Sequence, residues 1–239
     1  MWLALDTATD RASVALGEPG SGSRALKENL TGARRHAAEL LPVIHRLLAR
    51  RGTSLDELRG IVVSDGPGSF TGLRVGASVA KALAHARRLQ LWTAPSLMVR
   101  AAGVARANTS VLTVANALRG ELYAAIYNFG DRVAAELEPS VCRPEELVSR
   151  SRKPDMAVGE APSPVLAILE AWLQRPVIGP PEGSPHASRM LDLIGTPGGA
   201  RMIERVQEWE PVYGRPAEAQ ARWEKVHGRP LPDSIGSSG

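Results

Sequence analysis

Residues 61–76 read IVVSDGPGSFTGLRVG, and the way this stretch turns decides the fold. Ile61, Val62 and Val63 form a brief, β-branched apolar run between polar neighbours, which suits a buried strand better than a helix. The strand ends at Ser64 or Asp65. Gly66-Pro67-Gly68 then bends the chain, because glycine reaches positive φ while proline holds its own at about −65°. Ser69 or Thr71 is placed to cap the helix that follows, accepting from backbone N–H groups that a first turn leaves unpaired. A glycine-rich strand-to-helix turn presents donors and the positive end of a dipole, as anion-binding turns do. It is not a P-loop, for it lacks the Gly-Lys-Ser/Thr ending, and its glycines do not have dinucleotide-fingerprint spacing. The same glycines serve a purely structural turn, and the string alone leaves both uses open.

Beyond the turn, Gly72, Gly76, Ala80 and Ala84 recur every four residues and line one stripe of the helix, where another backbone can come close. Glycine inside a helix costs about 1 kcal/mol relative to alanine, so Gly76 signals a tight packing need. Arg74 and Lys81 project from the same helix and can bring positive charge near the turn. A second helix is read from Ala33 onward, where Ala37, Leu40, Leu41, Ile44, Leu47 and Leu48 fall at helical spacing. Pro42 lies inside that pattern and predicts a kink or restart.

With 239 residues, 44% hydrophobic, the chain is long enough for one large domain or two lobes. Only 4% is aromatic, so the core rests on Leu, Val, Ile and Ala, and the aromatic platforms used for single-stranded nucleic acid are not evident. A net charge of +4 is mildly basic, with the arginines dispersed. Cys142 is the single cysteine, which excludes an internal disulfide and fits a reducing compartment. No apolar run reaches the roughly 18 residues of a membrane span. The N-terminus lacks the pattern of a signal peptide, so the expected location is cytoplasmic.

Taken in order, Trp2–Leu5 is a strand, Asp6–Asp10 a polar turn and Ala12–Gly17 a second strand. Asp6 with Thr7 at the end of a first strand is one way a nucleotide-binding fold addresses phosphate and its metal; a simple side-chain turn is the other use of the same residues. Leu26–Leu30, Gln90–Thr93, Val111–Ala115, Glu121–Tyr127, Arg132–Leu137, Met156–Gly159 and Pro211–Tyr213 read as further strands. Helices are expected from Ser96 to about Arg106 and over Pro144–Ser149, Pro164–Leu173 and Ala217–Val226, with the proline-rich passage through Pro180-Pro181 and Pro185, before Ala187–Ile194, read as an irregular surface segment. Strands alternating with helices argue α/β layers. The element order of the first half recurs in the second, which suggests two related lobes. The expected boundaries are 1–100 for the first lobe, with helix 217–226 packing back on it, 101–214 for the second, and 227–239 as a flexible tail.

His36 and His45 are nine residues apart, on opposed sides of a helix, and cannot share one ion as an i, i+4 pair does. The remaining histidines are isolated, so no metal site is expected. No nucleophile with a base is identifiable, so no catalytic residue is assigned.

Leu3-Ala4-Leu5-Asp6-Thr7-Ala8-Thr9, Gly66 to Gly76, Arg119-Gly120-Glu121-Leu122-Tyr123 and Pro211-Val212-Tyr213-Gly214-Arg215 together resemble the bacterial TsaB (YeaZ) family of threonylcarbamoyladenosine biosynthesis proteins, which is glycoprotease-like and regarded as non-catalytic. The resemblance covers most of the chain in order. It implies a two-lobed fold of the actin, sugar kinase and Hsp70 type, which is ribonuclease H-like. It implies an accessory subunit without protease activity. Such a subunit supports a TsaD-type transferase that modifies the adenosine beside the anticodon of tRNAs reading codons that begin with A. A TsaE-type ATPase and tRNA, reached through the complex, are the further implied partners, with a homodimer when the subunit is alone. No cofactor is required by the chain; ATP or ADP would bind weakly or at the junction of the complex. Many relatives carry Asp where this chain has Asn116, which puts a magnesium role for that loop in doubt.

The candidates for nucleotide or phosphate contact are Asp6, Thr7, Gly66, Gly68, Ser69 and Thr71. The expected partner surface combines Leu40, Leu41, Ile44 and Leu48 of the first helix with Gly72, Leu73, Gly76, Val79, Ala80 and Leu83 of the second. The competing use of these stripes is to cover the first sheet. Two other functions compete: an independent ATPase or small-molecule kinase, for which Asp6, Asp10 and Asp65 are the carboxylates near turns, and a tRNA-binding module.

Overall fold

The computed structural model describes residues 1–31 and 33–214. The first half runs β1 (Trp2–Asp6), β2 (Arg11–Gly17), β3 (Leu26–Thr31), α1 (Ala33–Arg51), β4 (Gly60–Ser64), α2 (Phe70–Arg87) and β5 (Gln90–Ala94). After α3 (Ser96–Ala102) the second half runs β6 (Thr109–Asn116), β7 (Leu122–Phe129), β8 (Val133–Cys142), α4 (Pro144–Arg150), β9 (Met156–Glu160) and α5 (Ser163–Leu173). The described chain closes with α6 (Ala187–Leu193) and β10 (Arg201–Met202).

Two sheets form, ordered β10-β5-β4-β1-β2-β3 and β8-β7-β6-β9. In the first, β1 pairs antiparallel with β2 and parallel with β4; in the second, β6 pairs antiparallel with β7 and parallel with β9. Three meandering strands, a helix and a parallel fourth strand therefore occur twice. This is the two-lobed α/β fold of the actin, sugar kinase and Hsp70 type.

Every residue of β1 and of β4 is buried, as expected of strands covered on both faces. Leu3, Leu5, Ile61 and Val63 face α1 and pack with Leu40, Val43, Ile44 and Leu47. Trp2, Ala4 and Val62 face the other way, into a core that also holds Leu97 of α3, Leu191 of α6, and Val111 and Tyr127 of the second sheet. The two sheets thus share one layer of apolar packing. A third cluster, with Leu112, Leu147 and Leu169, lies between the second sheet and α4 and α5.

Several expectations need correction. Leu40, Ile44, Leu48, Leu73 and Ala80 are buried inside this chain, and so are Gly72 and Gly76, so most of the expected partner surface is covered by the first sheet. Leu41 is 54% exposed, and Val79 and Leu83 are half-buried; these keep an accessible face. α1 does not restart at Pro42 but continues through it to Arg51. Pro211–Tyr213 is not a strand, since proline lacks the N–H a ladder needs and the segment donates a lone backbone bond from Val212 N to Asp65 O, 2.6 Å. Instead β10 pairs antiparallel with β5, and α6 donates from Ala187 N to Ser13 Oγ of β2 at 2.8 Å. Residues 187–202 therefore pack on the first sheet, although the chain order places them in the second lobe. α3 stops at Ala102, where the chain tightens into i→i+3 bonds at Gly103 and Val104. The expected helix 217–226 and tail 227–239 lie outside the described residues.

Leu40→Ala should lower unfolding free energy by about 2–5 kcal/mol, because it opens a cavity under the sheet. Leu41→Ala, one position along and facing solvent, should change it by no more than ~0.5 kcal/mol. Urea titration of the two variants separates them; equal effects would mean that α1 does not seat on the sheet by this face.

Candidate functional site

The carboxyl ends of the parallel strands β1, β4 and β5 converge on Asp6, Ser64-Asp65 and Ala94-Pro95-Ser96, the place where α/β sheets carry ligands. Asp6 is fully buried. Its Oδ1 accepts from Ala8 N at 3.0 Å, while Oδ2 has no hydrogen-bond partner among the described residues. Burial pushes its pKa up to about 6, against the Ala8 N–H bond and the charge of Arg100, which pull it down.

Arg100 is buried in the apolar face of α3 and spans the lobes. It donates from Nη1 to Val114 O of β6 and from Nη2 to Glu160 Oε1 of β9, both at 3.0 Å. Sequence reasoning missed it, though one arginine within the run SLMVRAA was the available signal. Asp65, also buried, lies 3.1 Å from Arg201 Nη2; burial raises its pKa and the Arg201 charge opposes this.

The glycine turn is closed by this chain's own backbone. Ser69 N donates to Ala8 O at 2.7 Å, and Ser69 Oγ caps α2 by accepting from Gly72 N at 3.2 Å. A Cβ on Gly68 would collide with Ala8 O, and one on Gly72 with Thr7 O, so these glycines admit the β1–β2 turn against α2. Gly66, at φ 103°, is fastened by Gly66 N to Ser96 Oγ at 3.0 Å and by Ser96 N to Gly66 O at 2.8 Å. A Cβ there would strike Val212 O. The Ser69 and Gly72 donors are consumed inside the chain, Asp6 has no open face, and the turn as it stands does not fit a phosphate.

Of the expected contact residues, Asp6, Thr7, Gly66, Gly68 and Ser69 come together in this closed turn, while Thr71 points out on α2. Asp10 is exposed in the β1–β2 turn and not part of the buried group. Asn116 Oδ1 accepts from Leu118 N at 2.9 Å, a side-chain turn. Cys142 is buried, and burial raises its thiol pKa, which suits packing and not nucleophilic attack. No cluster of three or more metal-ligating side chains exists among the described residues.

Sequence reasoning also missed the strap over the turn. Tyr213 packs on Phe70 with ring centroids 4.7 Å apart, and the Arg74 guanidinium sits 4.2 Å from the Phe70 centroid. Lys81 Nζ pairs with Glu210 at 2.7 Å and lies 5.7 Å from the Trp209 ring. Arg74 and Lys81 therefore hold residues 209–213, not an anion.

A family model described as TsaD, tRNA N6-adenosine threonylcarbamoyltransferase, matches residues 30–167. The chain is 35% identical over 148 residues to the tRNA threonylcarbamoyladenosine biosynthesis protein TsaB of Escherichia coli, covering 58% of this chain and 63% of that one. It is 28% identical to the Haemophilus influenzae protein of the same name, over 89% of this chain and 92% of the other. The chain belongs to the TsaB (YeaZ) family. The solved structure of YeaZ from Pseudomonas aeruginosa superposes with a TM-score of 0.66 at 29% identity, covering 81% of this chain and 90% of that one. A second P. aeruginosa structure, described as an uncharacterized protein with similarity to peptidase YeaZ, gives a TM-score of 0.71 at 29% identity and covers 90% and 99%. The TsaB alignments thus rest on a chain whose strand-end site is sealed.

A carboxylate whose folded pKa exceeds its unfolded one destabilises the fold once ionised: the penalty is absent below about pH 3.8 and complete above about pH 6. Asp6→Asn keeps an oxygen for Ala8 N and removes the charge. The variant should match the wild type near pH 4 and exceed it at pH 7 by up to about 3 kcal/mol, the free energy that separates a carboxyl titrating at 3.8 from one at about 6. Denaturant titrations at both pH values measure the difference, and a variant that is less stable at pH 7 refutes it.

Proposed function

We propose that this chain is a non-catalytic subunit that binds and supports a TsaD-type transferase as threonylcarbamoyladenosine forms beside the anticodon of tRNAs reading codons that begin with A. Membership in the TsaB family supports the pathway. The observation that carries the accessory role is the closed turn: Ser69 N and Gly72 N are bonded within the chain, and the Asp6 carboxylate that a phosphoryl-transfer site would present is fully buried. An ATPase or kinase on this fold needs an accessible carboxylate at the strand ends for its metal; Asp6 and Asp65 are both buried, and Asp10, which is exposed, lies in the β1–β2 turn outside that group. In this reading the chain works in the cytoplasm, ATP or ADP binds weakly or at the junction with the transferase, and a TsaE-type ATPase acts on the assembly.

The partner surface is the outer side of the α1–α2 pair. Leu41 stands exposed on α1, and Val75, Val79 and Leu83 are half-buried along α2, with exposed Ser78 and Ala82 between them. Small and aliphatic side chains of this kind let another helix pair approach closely, in a four-helix contact. The same surface would serve a homodimer in the partner's absence.

Leu41→Arg and Val79→Arg should each abolish co-purification with the organism's TsaD-type protein and shift the lone subunit toward monomer by light scattering, with a melting temperature close to wild type. Formation of threonylcarbamoyladenosine by the two proteins together should fall in step. Retention of both associations by both variants places the partner surface elsewhere. Tight, magnesium-dependent ATP binding by the lone chain that Asp6→Ala destroys would favour the kinase reading.

A further inference from the structure

On the face of the first sheet opposite α1, we propose a binding site for RNA phosphates made by Lys27, His186 and Arg189. The proposal rests on the tRNA reading above. Strand geometry sets the cluster. Ser13 and Ala15 of β2 face α6: Ser13 Oγ accepts from Ala187 N at 2.8 Å, and Ala15 packs in the same core as Ala187 and Leu191. Lys27 of β3 is the register partner of Ala15 and shares its face. His186 and Arg189 flank the start of α6, with Arg189 N donating to His186 O at 2.9 Å. Three basic side chains from two elements therefore gather beside one sheet edge. Lys27 is exposed, and His186 and Arg189 are half-buried.

Little negative charge answers them. The strands β2 and β3 and the helix α6 contain two carboxylates, Glu28 and Asp192. Glu28 faces α1, where it pairs with Arg46 and Arg50. Asp192 Oδ1 accepts from Gly22 N at 2.8 Å, and its Oδ2 stands 3.5 Å from Arg189 Nη1. Lys27 has no ion-pair partner among the described residues, and the helix terminus adds nothing because Ala187 N is already taken. The crowding is felt at His186: burial lowers its pKa, and the charges of Lys27 and Arg189 lower it further. A polyanion whose phosphates reach all three side chains relieves that repulsion, and the patch lies on the side of the sheet away from α1, so it stays open when the α1–α2 surface holds a protein partner.

The test uses the full chain in complex with its TsaD-type partner and an unmodified tRNA transcript, titrated across a salt series. Lys27→Glu with Arg189→Gln should weaken binding by ~10-fold or more. The same pair should lower the slope of log affinity against log salt by about 0.7–0.9 for each phosphate that is no longer neutralised. Lys27→Glu alone, at an exposed edge position, should give a smaller decrease in affinity and guards against a double variant that misfolds. Arg152→Glu, an exposed change before β9, is the control and should leave both readouts unchanged. Wild-type affinity and slope in the variants, an equal decrease in the control, or no tRNA binding by the wild-type complex would each overturn the site. Co-purification with the partner, scored on the same samples, reports separately on the subunit role: it should survive all of these changes.

Discussion

The contact on which the rest depends is a backbone laid on a backbone. The β1–β2 turn brings the carbonyls of Thr7 and Ala8 against the first turn of α2, where Gly68 and Gly72 leave room that any Cβ would fill. Once that approach is made, Ser69 N is bonded to Ala8 O, Asp6 Oδ1 accepts from Ala8 N, α2 lies down on the sheet, and α1 packs beside it. The energetic penalty of Asp6 is offset in part by the Ala8 N–H bond and by the charge of Arg100, whose own two bonds reach the second sheet. One close approach thus fixes the helix, the carboxylate and the relation of the lobes.

In the proposed accessory role, this arrangement accounts for a fold of the nucleotide-binding type serving as a scaffold. The strand ends retain carboxylates in the places where a phosphate site would need them. Desolvation by the chain's own turn, and by the strap of residues 209–213, converts them from ligands into structural charges. Surface left over for recognition then lies on the outer sides of the helices and sheets, away from the strand ends.

The strands and helices up to α5 were legible because their signals are local: unbroken apolar runs for β1 and β4, helical spacing for α1, and a capping serine for α2. The repeated order of elements was legible for the same reason. The fate of the leucine stripe was not, since an amphipathic face looks the same whether its cover is a sheet of the same chain or another protein; Leu40 and Leu41 went to opposite fates. The closed turn was likewise hidden, because its glycines meet carbonyls about 60 residues earlier in the chain. The strap and β10 depended on pairings across more than a hundred residues, and a two-residue strand carries no periodicity to read. Arg100 alone gave a warning that composition could have caught.

The return of α6 and β10 to the first sheet has a consequence for how the protein is made. Trp2 and Ala4 are made long before α6 and β10, yet the face they turn away from α1 is closed by Met190 and Leu191, and the sheet edge by Arg201. The N-terminal sheet therefore waits, half-covered, while nearly the whole of the second lobe is synthesised. Contacts of such long sequence separation form slowly, and exposed apolar strands in the interval are prone to aggregate. That face stays uncovered until residue 202 is free, whereas the second lobe can gather its α4–α5 core before the first is complete.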